Sequence, residues 1–150
     1  PVEPVGKDIG FLPGTRDEKM LPWLAPIQDN LQFLFGNDKM TLDMHIDEGR
    51  IEVEAMTYIR GRSICNSFII IDEAQNMNRH EIKTVLTRVG EGTKIVLTGD
   101  IEQIDNIYID STNNGLSYLV EKFKDQEIAG HITLLKGERS KVASVAARIL

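Results

Sequence analysis

Phe68-Ile69-Ile70-Ile71-Asp72-Glu73-Ala74-Gln75 decides the fold: four apolar residues run straight into two acids. A short unbroken apolar run reads as a strand buried on both faces, the habit of parallel sheets covered by helices. Such sheets bind ligands outside the carboxyl ends of their strands, so this run delivers two carboxylates to the edge where a nucleotide-hydrolysing site would lie. A second run, Lys94-Ile95-Val96-Leu97-Thr98, ends in Gly99-Asp100, with Gln103 following. Between the runs there is room for one helix and two short loops, as a parallel crossover requires. The two strand ends are expected to converge on one pocket.

Toward the amino terminus, Pro1, Pro4, Gly6, Gly10, Pro13 and Gly14 mark a loop. Thr15 and Glu18 have the spacing of a capping box, and Met20, Leu24, Ile27, Leu31 and Leu34 follow at helical spacing. Pro22 and Pro26 are expected to kink or split that helix. A second helix is predicted over residues 38–48, stopping at Gly49, and a weak strand over 51–53. Beyond the acidic run, Asn78 and Glu81 form a cap pair for a helix with the face Ile82, Val85, Leu86 and Val89, ended by Gly90. Leu116, Leu119, Val120 and Phe123 make another helical face, and residues 131–135 read as a strand. Ser140 caps a last helix with the face Val142, Val145, Ala146 and Ile149.

This alternation predicts an α/β fold with a parallel sheet and right-handed crossovers. Residues 1–50 form a loop and helical region, and residues 51–150 the parallel α/β core. Three or four strands is thin for such a sheet, and burial on both faces calls for another strand and helix on the amino-terminal side. With Pro1 in place of methionine, the sequence reads as a segment of a longer protein.

A length of 150 residues, 41% hydrophobic and 27% charged, fits one globular domain or most of one. The net charge of -6 argues against a broadly basic surface, so any nucleic-acid contact is local. Cys65 is alone and no Cys/His cluster offers a zinc framework, which favours a reducing, cytoplasmic compartment. It reads as a packing residue rather than a nucleophile. No stretch has the length of a membrane span, and no signal pattern opens the chain.

Two adjacent acids at a strand end suit metal-assisted phosphoryl transfer: Asp72 to hold Mg²⁺ through its waters, Glu73 to orient and deprotonate the water attacking a γ-phosphate. The same pair also suits a solvated strand end. Gln103 reads either as an amide that hydrogen-bonds a terminal phosphate and registers its loss, or as an ordinary loop residue. Arg139, just before the last helix, either stabilises charge on a transferring phosphate or pairs at the surface with Glu138 or Glu121. Arg60-Gly61-Arg62 sets two cations around a flexible residue, as a contact for RNA phosphates or nucleotide, or as a solvated turn. Tyr58 and Tyr108 offer stacking faces, whereas Trp23 on its helix reads as core. No GxxxxGK[ST] phosphate loop occurs in the 150 residues.

FIIIDEAQ at 68–75, followed by VLTGDIEQID at 96–105, resembles the second acidic motif and the GDxxQ motif of superfamily 1 helicases. Further strings narrow the resemblance: GFLPGTRDEKMLPWLAPI, TYIRGRSICNSF, LTRVGEGTKIVLTGD, STNNGLSYLVEKFK and GHITLLKGERS. Together they resemble the PhoH family, in its longer type with a PIN nuclease domain ahead of the ATPase, over essentially the whole chain. The resemblance implies part of a RecA-like P-loop NTPase that uses ATP and Mg²⁺, acts on RNA, and in its longer members is associated with RNA unwinding and cleavage. It makes Asp72 the organiser of Mg²⁺ and Glu73 the catalytic carboxylate. Gln75 and Gln103 become sensors of the γ-phosphate, with Asp100 beside them at the nucleotide. Glu138-Arg139-Ser140 matches the family's closing motif, so Arg139 becomes an arginine finger, and a finger acting in trans implies a homo-oligomer, such as a ring. The family's amino-terminal strand and phosphate loop precede the segment seen here. Two other classes stay open: an RNA-binding or assembly module without hydrolysis, and a nucleotide-gated phosphotransfer or switch protein.

Overall fold

A computed structural model describes residues 16–53, 56, 59, 61–135 and 140–149, with the side chains of 16–23, 143–144 and 147–148 excepted. The chain divides within α4 into two compact units, residues 1–119 and 120–150. The first unit begins with α1 (Arg16–Leu34) and α2 (Lys39–Asp47). Pro22 and Pro26 do not split α1, which continues as one helix of 19 residues although each proline costs it a backbone bond. Thr15, its expected cap, lies outside the described residues. Asp38 caps α2 by accepting from the amide of Thr41, and Gly49 turns the chain beyond it with φ +69°.

The acidic run forms β1 (Phe68–Ile71), and the second run forms β2 (Lys94–Leu97). They pair in parallel with Phe68 opposite Lys94 and Ile71 opposite Leu97. Between them α3 (Arg79–Leu86) starts at a complete capping box, in which the Asn78 side chain accepts from the amides of His80 and Glu81 while Glu81 accepts from the amide of Asn78. The helix stops at Leu86 rather than running to Gly90, because Val89 leaves it to make a parallel bridge with Ile64. Buried Ala74, Met77, Ile82 and Val85 form the core, joined by Ile71, Ile95, Leu97, Leu116 and Leu119. Burying Met77, Ile82 and Val85 adds about 1.5–3 kcal/mol each over the exposed state.

Three expectations are corrected. Phe68 and Ile70 are each 63% exposed, so β1 is covered on one face only. Among the described residues the sheet has two strands, and its core-facing side carries Ile71, Ile95 and Leu97 while the alternate residues of β1 look outward. Neither 51–53 nor 131–135 is a strand, since an apolar segment becomes one only against a paired neighbour. Cys65 is exposed rather than packed in the core.

Helix α4 (Gly115–Phe123) places Leu116 and Leu119 on the core of the first unit. Gly115 is required there, for a Cβ would lie 2.7 Å from the carbonyl of Met77 and 2.8 Å from that of Asn78. In the second unit, Lys124 pairs with Glu121, residues 131–135 are exposed and belong to no helix or strand, and α5 (Lys141–Ile149) follows.

Candidate functional site at two strand ends

The parallel register puts Asp72 beside Thr98, one residue past the last pair of each strand. The Thr98 hydroxyl donates to Asp72 Oδ1 at 2.7 Å, and the same oxygen accepts from the Glu73 amide at 3.0 Å. Two donors on one oxygen fix the orientation of an exposed carboxylate. Glu73 then takes the left-handed conformation, φ 56° and ψ 35°, which is uncommon for any residue but glycine and carries a backbone cost of order 1–3 kcal/mol. This bend turns the chain from β1 into a single 3-10 turn, Ala74–Asn76, and leaves the Glu73 side chain exposed at the sheet edge.

That turn is bound along its length to the loop after β2. Ala74 donates its amide to the carbonyl of Thr98 at 2.9 Å. The buried Gln75 side chain donates to Glu73 Oε2 at 2.6 Å and to the carbonyl of Gln103 at 2.9 Å, while its Oε1 accepts from the amide of Asp100 at 3.2 Å. Asn76 Oδ1 accepts from the amides of Asp105 and Asn106, and Asn106 returns a bond from its side chain to the carbonyl of Asn76. Asp100 in turn accepts from the amide of Glu102 and from the Gln103 side chain. One ledge therefore carries Asp72, Glu73, Asp100 and Gln103.

Asp72, Glu73 and Gln103 are exposed on this ledge, Asp100 is half-buried, and Gln75 is wholly enclosed beneath it. Arg62 lies elsewhere in an ion pair with Glu52 at 3.2 Å. Tyr108 is exposed, next to the loop's end, and Tyr118 stacks under the guanidinium of Arg79, 4.7 Å from the ring centroid. Arg60, Tyr58, Glu138 and Arg139 lie outside the described residues, as does the side chain of Trp23. A depression on α2 lined by Lys39, Asp43 and Asp47 contains none of the ledge residues.

Sequence reasoning missed Thr98 and Asn76. Thr98 was legible as the residue facing Asp72 once the two strand ends were aligned in register. Asn76 carried no signal beyond its type, since an asparagine after a helical turn is common in any loop.

Among the described residues no three His, Cys, Asp or Glu side chains gather as a metal cage. Mg²⁺ keeps several waters and is held by one or two carboxylates together with substrate phosphates. The exposed, hydrogen-bonded carboxylate of Asp72 meets that requirement. No described helix is long and apolar enough to cross a membrane.

Parallel strands with helical connections, and acids and amides gathered at neighbouring carboxyl ends, define a mixed α/β protein of the class that receives its ligand at that edge. Within that class the chain belongs to the PhoH-like protein family, a P-loop family, whose sequence pattern matches residues 1–149. It is similar to Protein PhoH2 of Bacillus subtilis, with 63% identity over the whole of this chain and 34% of that protein. Protein PhoH2 of Mycolicibacterium smegmatis is 40% identical over 97% of this chain and 32% of its own length. A PhoH-like protein of Synechocystis is 43% identical over 70% of this chain and 31% of its own. The chain thus spans about a third of the length of these relatives.

Proposed function

We propose that residues 1–150 are part of the ATPase domain of a cytoplasmic PhoH-like protein that binds ATP and hydrolyses it with Mg²⁺, coupled to RNA unwinding or processing. The observation that carries this reading is the ledge itself, where Asp72 and Glu73 end one strand beside Asp100 and Gln103 at the end of its parallel neighbour. Bound Mg²⁺ would neutralise charge developing on the phosphoryl oxygens. Asp72 would hold that ion, its carboxylate kept in one orientation by Thr98. Glu73 accepts the proton of the attacking water, and the exposed Gln103 side chain hydrogen-bonds the terminal phosphate.

The family resemblance adds the remaining parts. A phosphate loop supplies the lysine and hydroxyl that grip ATP, and Arg139 completes the site of a neighbouring subunit in a homo-oligomer. Arg60 and Arg62 contact RNA phosphates.

The test is Glu73→Gln in the full-length protein carrying this segment. ATP turnover should fall by about 10²- to 10⁴-fold while a nonhydrolysable ATP analogue still binds. Full turnover would reject Glu73 as the base. RNA binding by an unaltered protein that never turns over ATP would favour the binding-module reading, and turnover indifferent to RNA would favour a nucleotide-gated switch.

A further inference from the structure

We infer that Gln75 is a positioning residue, a buried strut that aims the Glu73 carboxylate and ties it to the loop bearing Gln103, rather than a group that touches phosphate. The inference rests on the reading of Glu73 as the catalytic base and adds to it the part that holds the base in place.

Gln75 has no exposed surface. An amide side chain has two N–H donors, and both are committed within the protein, one to Glu73 Oε2 and one to the Gln103 carbonyl. Its oxygen is committed too, to the amide of Asp100. The side chain therefore reaches the ends of both strands at once from beneath the ledge. Gly99 leaves the room for it, since a Cβ there would stand 2.5 Å from Gln75 Oε1. Glu73 needs such support, because its backbone is held in a left-handed bend and its side chain is exposed. Without a fixed partner, an exposed glutamate samples several rotamers, and a base displaced by about 1 Å loses on the order of 10²-fold in rate. The Gln103 contact is to the backbone carbonyl, and the Gln103 side chain itself donates to the Asp100 carboxylate.

The test uses the full-length protein with Gln75→Met, which keeps volume and removes all three hydrogen bonds, alone and combined with Glu73→Gln. We measure kcat, KM, affinity for ADP and a nonhydrolysable ATP analogue, and thermal unfolding. Gln75→Met should lower kcat by about tenfold or more, with KM and both affinities held within about threefold. In the Glu73→Gln background the same change should leave the residual rate within about twofold, because a residue acting only through Glu73 has nothing left to position.

Unchanged kcat in Gln75→Met overturns the inference, as does a further loss of rate in the Glu73→Gln background. Selective loss of affinity for the ATP analogue over ADP overturns it in favour of direct phosphate contact. If Gln75→Met does not fold, Gln75→Leu is measured in its place, which also removes the donors and the acceptor without burying a charge; failure of both to fold assigns Gln75 to stability alone and overturns the inference. Full turnover by Glu73→Gln would sink the catalytic base and this inference together, whereas an inactive Glu73→Gln beside a fully active Gln75→Met sinks this inference only.

Discussion

The side-chain oxygen of Gln75 fills the space that any side chain at position 99 would need. A Cβ on Gly99 would lie 2.5 Å from Gln75 Oε1, 2.9 Å from Leu116 Cδ2 and 3.1 Å from the Gln75 amide. The glycine of the GDxxQ string is thus explained by steric room for a buried amide and a core leucine. Its φ is not in the left-handed region, so backbone freedom is not the reason.

Gly99→Ala should therefore push Gln75 off its partners. Overpacking of this kind costs about 1–3 kcal/mol, and displacement of the Glu73 support should lower ATP turnover by about ten- to a hundredfold. Thermal unfolding and steady-state ATPase rates check the two effects separately. A variant equal to the parent in both would show that the loop yields freely.

Thr98→Val removes the hydroxyl that donates to Asp72 Oδ1 while keeping the branched shape. Partners that orient a metal-holding carboxylate are worth about 10- to 100-fold in metal affinity. The Mg²⁺ concentration for half-maximal turnover should rise by about tenfold, with the rate at saturating Mg²⁺ largely recovered. A magnesium titration of the two proteins decides the matter.

The capping box of α3 gives a stability prediction independent of catalysis. Asn78→Ala removes the acceptor for the amides of His80 and Glu81 and should cost about 1 kcal/mol. For a folding unit of about 150 residues that is about 2–4 °C in Tm. Asn78→Asp, which keeps the acceptor, should stay near the parent in the same melting experiment.

Two caps titrate. The Thr41 hydroxyl and then its amide hold the Asp38 carboxyl below the ordinary carboxylate value, and the hydroxyl and amide of Thr112 do the same for Asp110. A lowered folded value means stabilisation present above the ordinary value, about 3.9, and lost as the pH falls through the lowered one. The protection of the Thr41 and Thr112 amides, measured against their intrinsic exchange rates, should fall in that acid window. Asp38→Asn should make protection at Thr41 insensitive to that window, and an acid loss of protection that persists would assign the effect to another group.

The helices were legible because their signals are local. Asn78 and Glu81 specify their box three residues apart, and Asp38 and Gly49 bracket α2 without help from the rest of the chain. The parallel pairing of β1 with β2 was equally readable, since two apolar runs ending at the same kind of edge with a helix between them admit few alternatives. Strand identity elsewhere was not, for 131–135 has the apolar pattern but no partner among the described residues, and pairing is what makes a strand. The candidate site shows the same division. Residue types at Asp72, Glu73 and Gln103 announced their chemistry, whereas the enclosure of Gln75 and the grip of Asn76 on the next loop depend on contacts across 25–30 residues. No spacing within either string encodes those contacts.

Surface loops ordinarily absorb insertions and deletions. The loop after β2 is different, because Thr98, Asp100, Gln103, Asp105 and Asn106 are each bonded to Ala74, Gln75 or Asn76. Because these bonds use the loop's backbone groups, they constrain its length more than its residue types. One residue more or fewer between Thr98 and Asn106 would put every later bond out of step with the turn it grips, so this stretch behaves as a ruler whose graduations are hydrogen bonds.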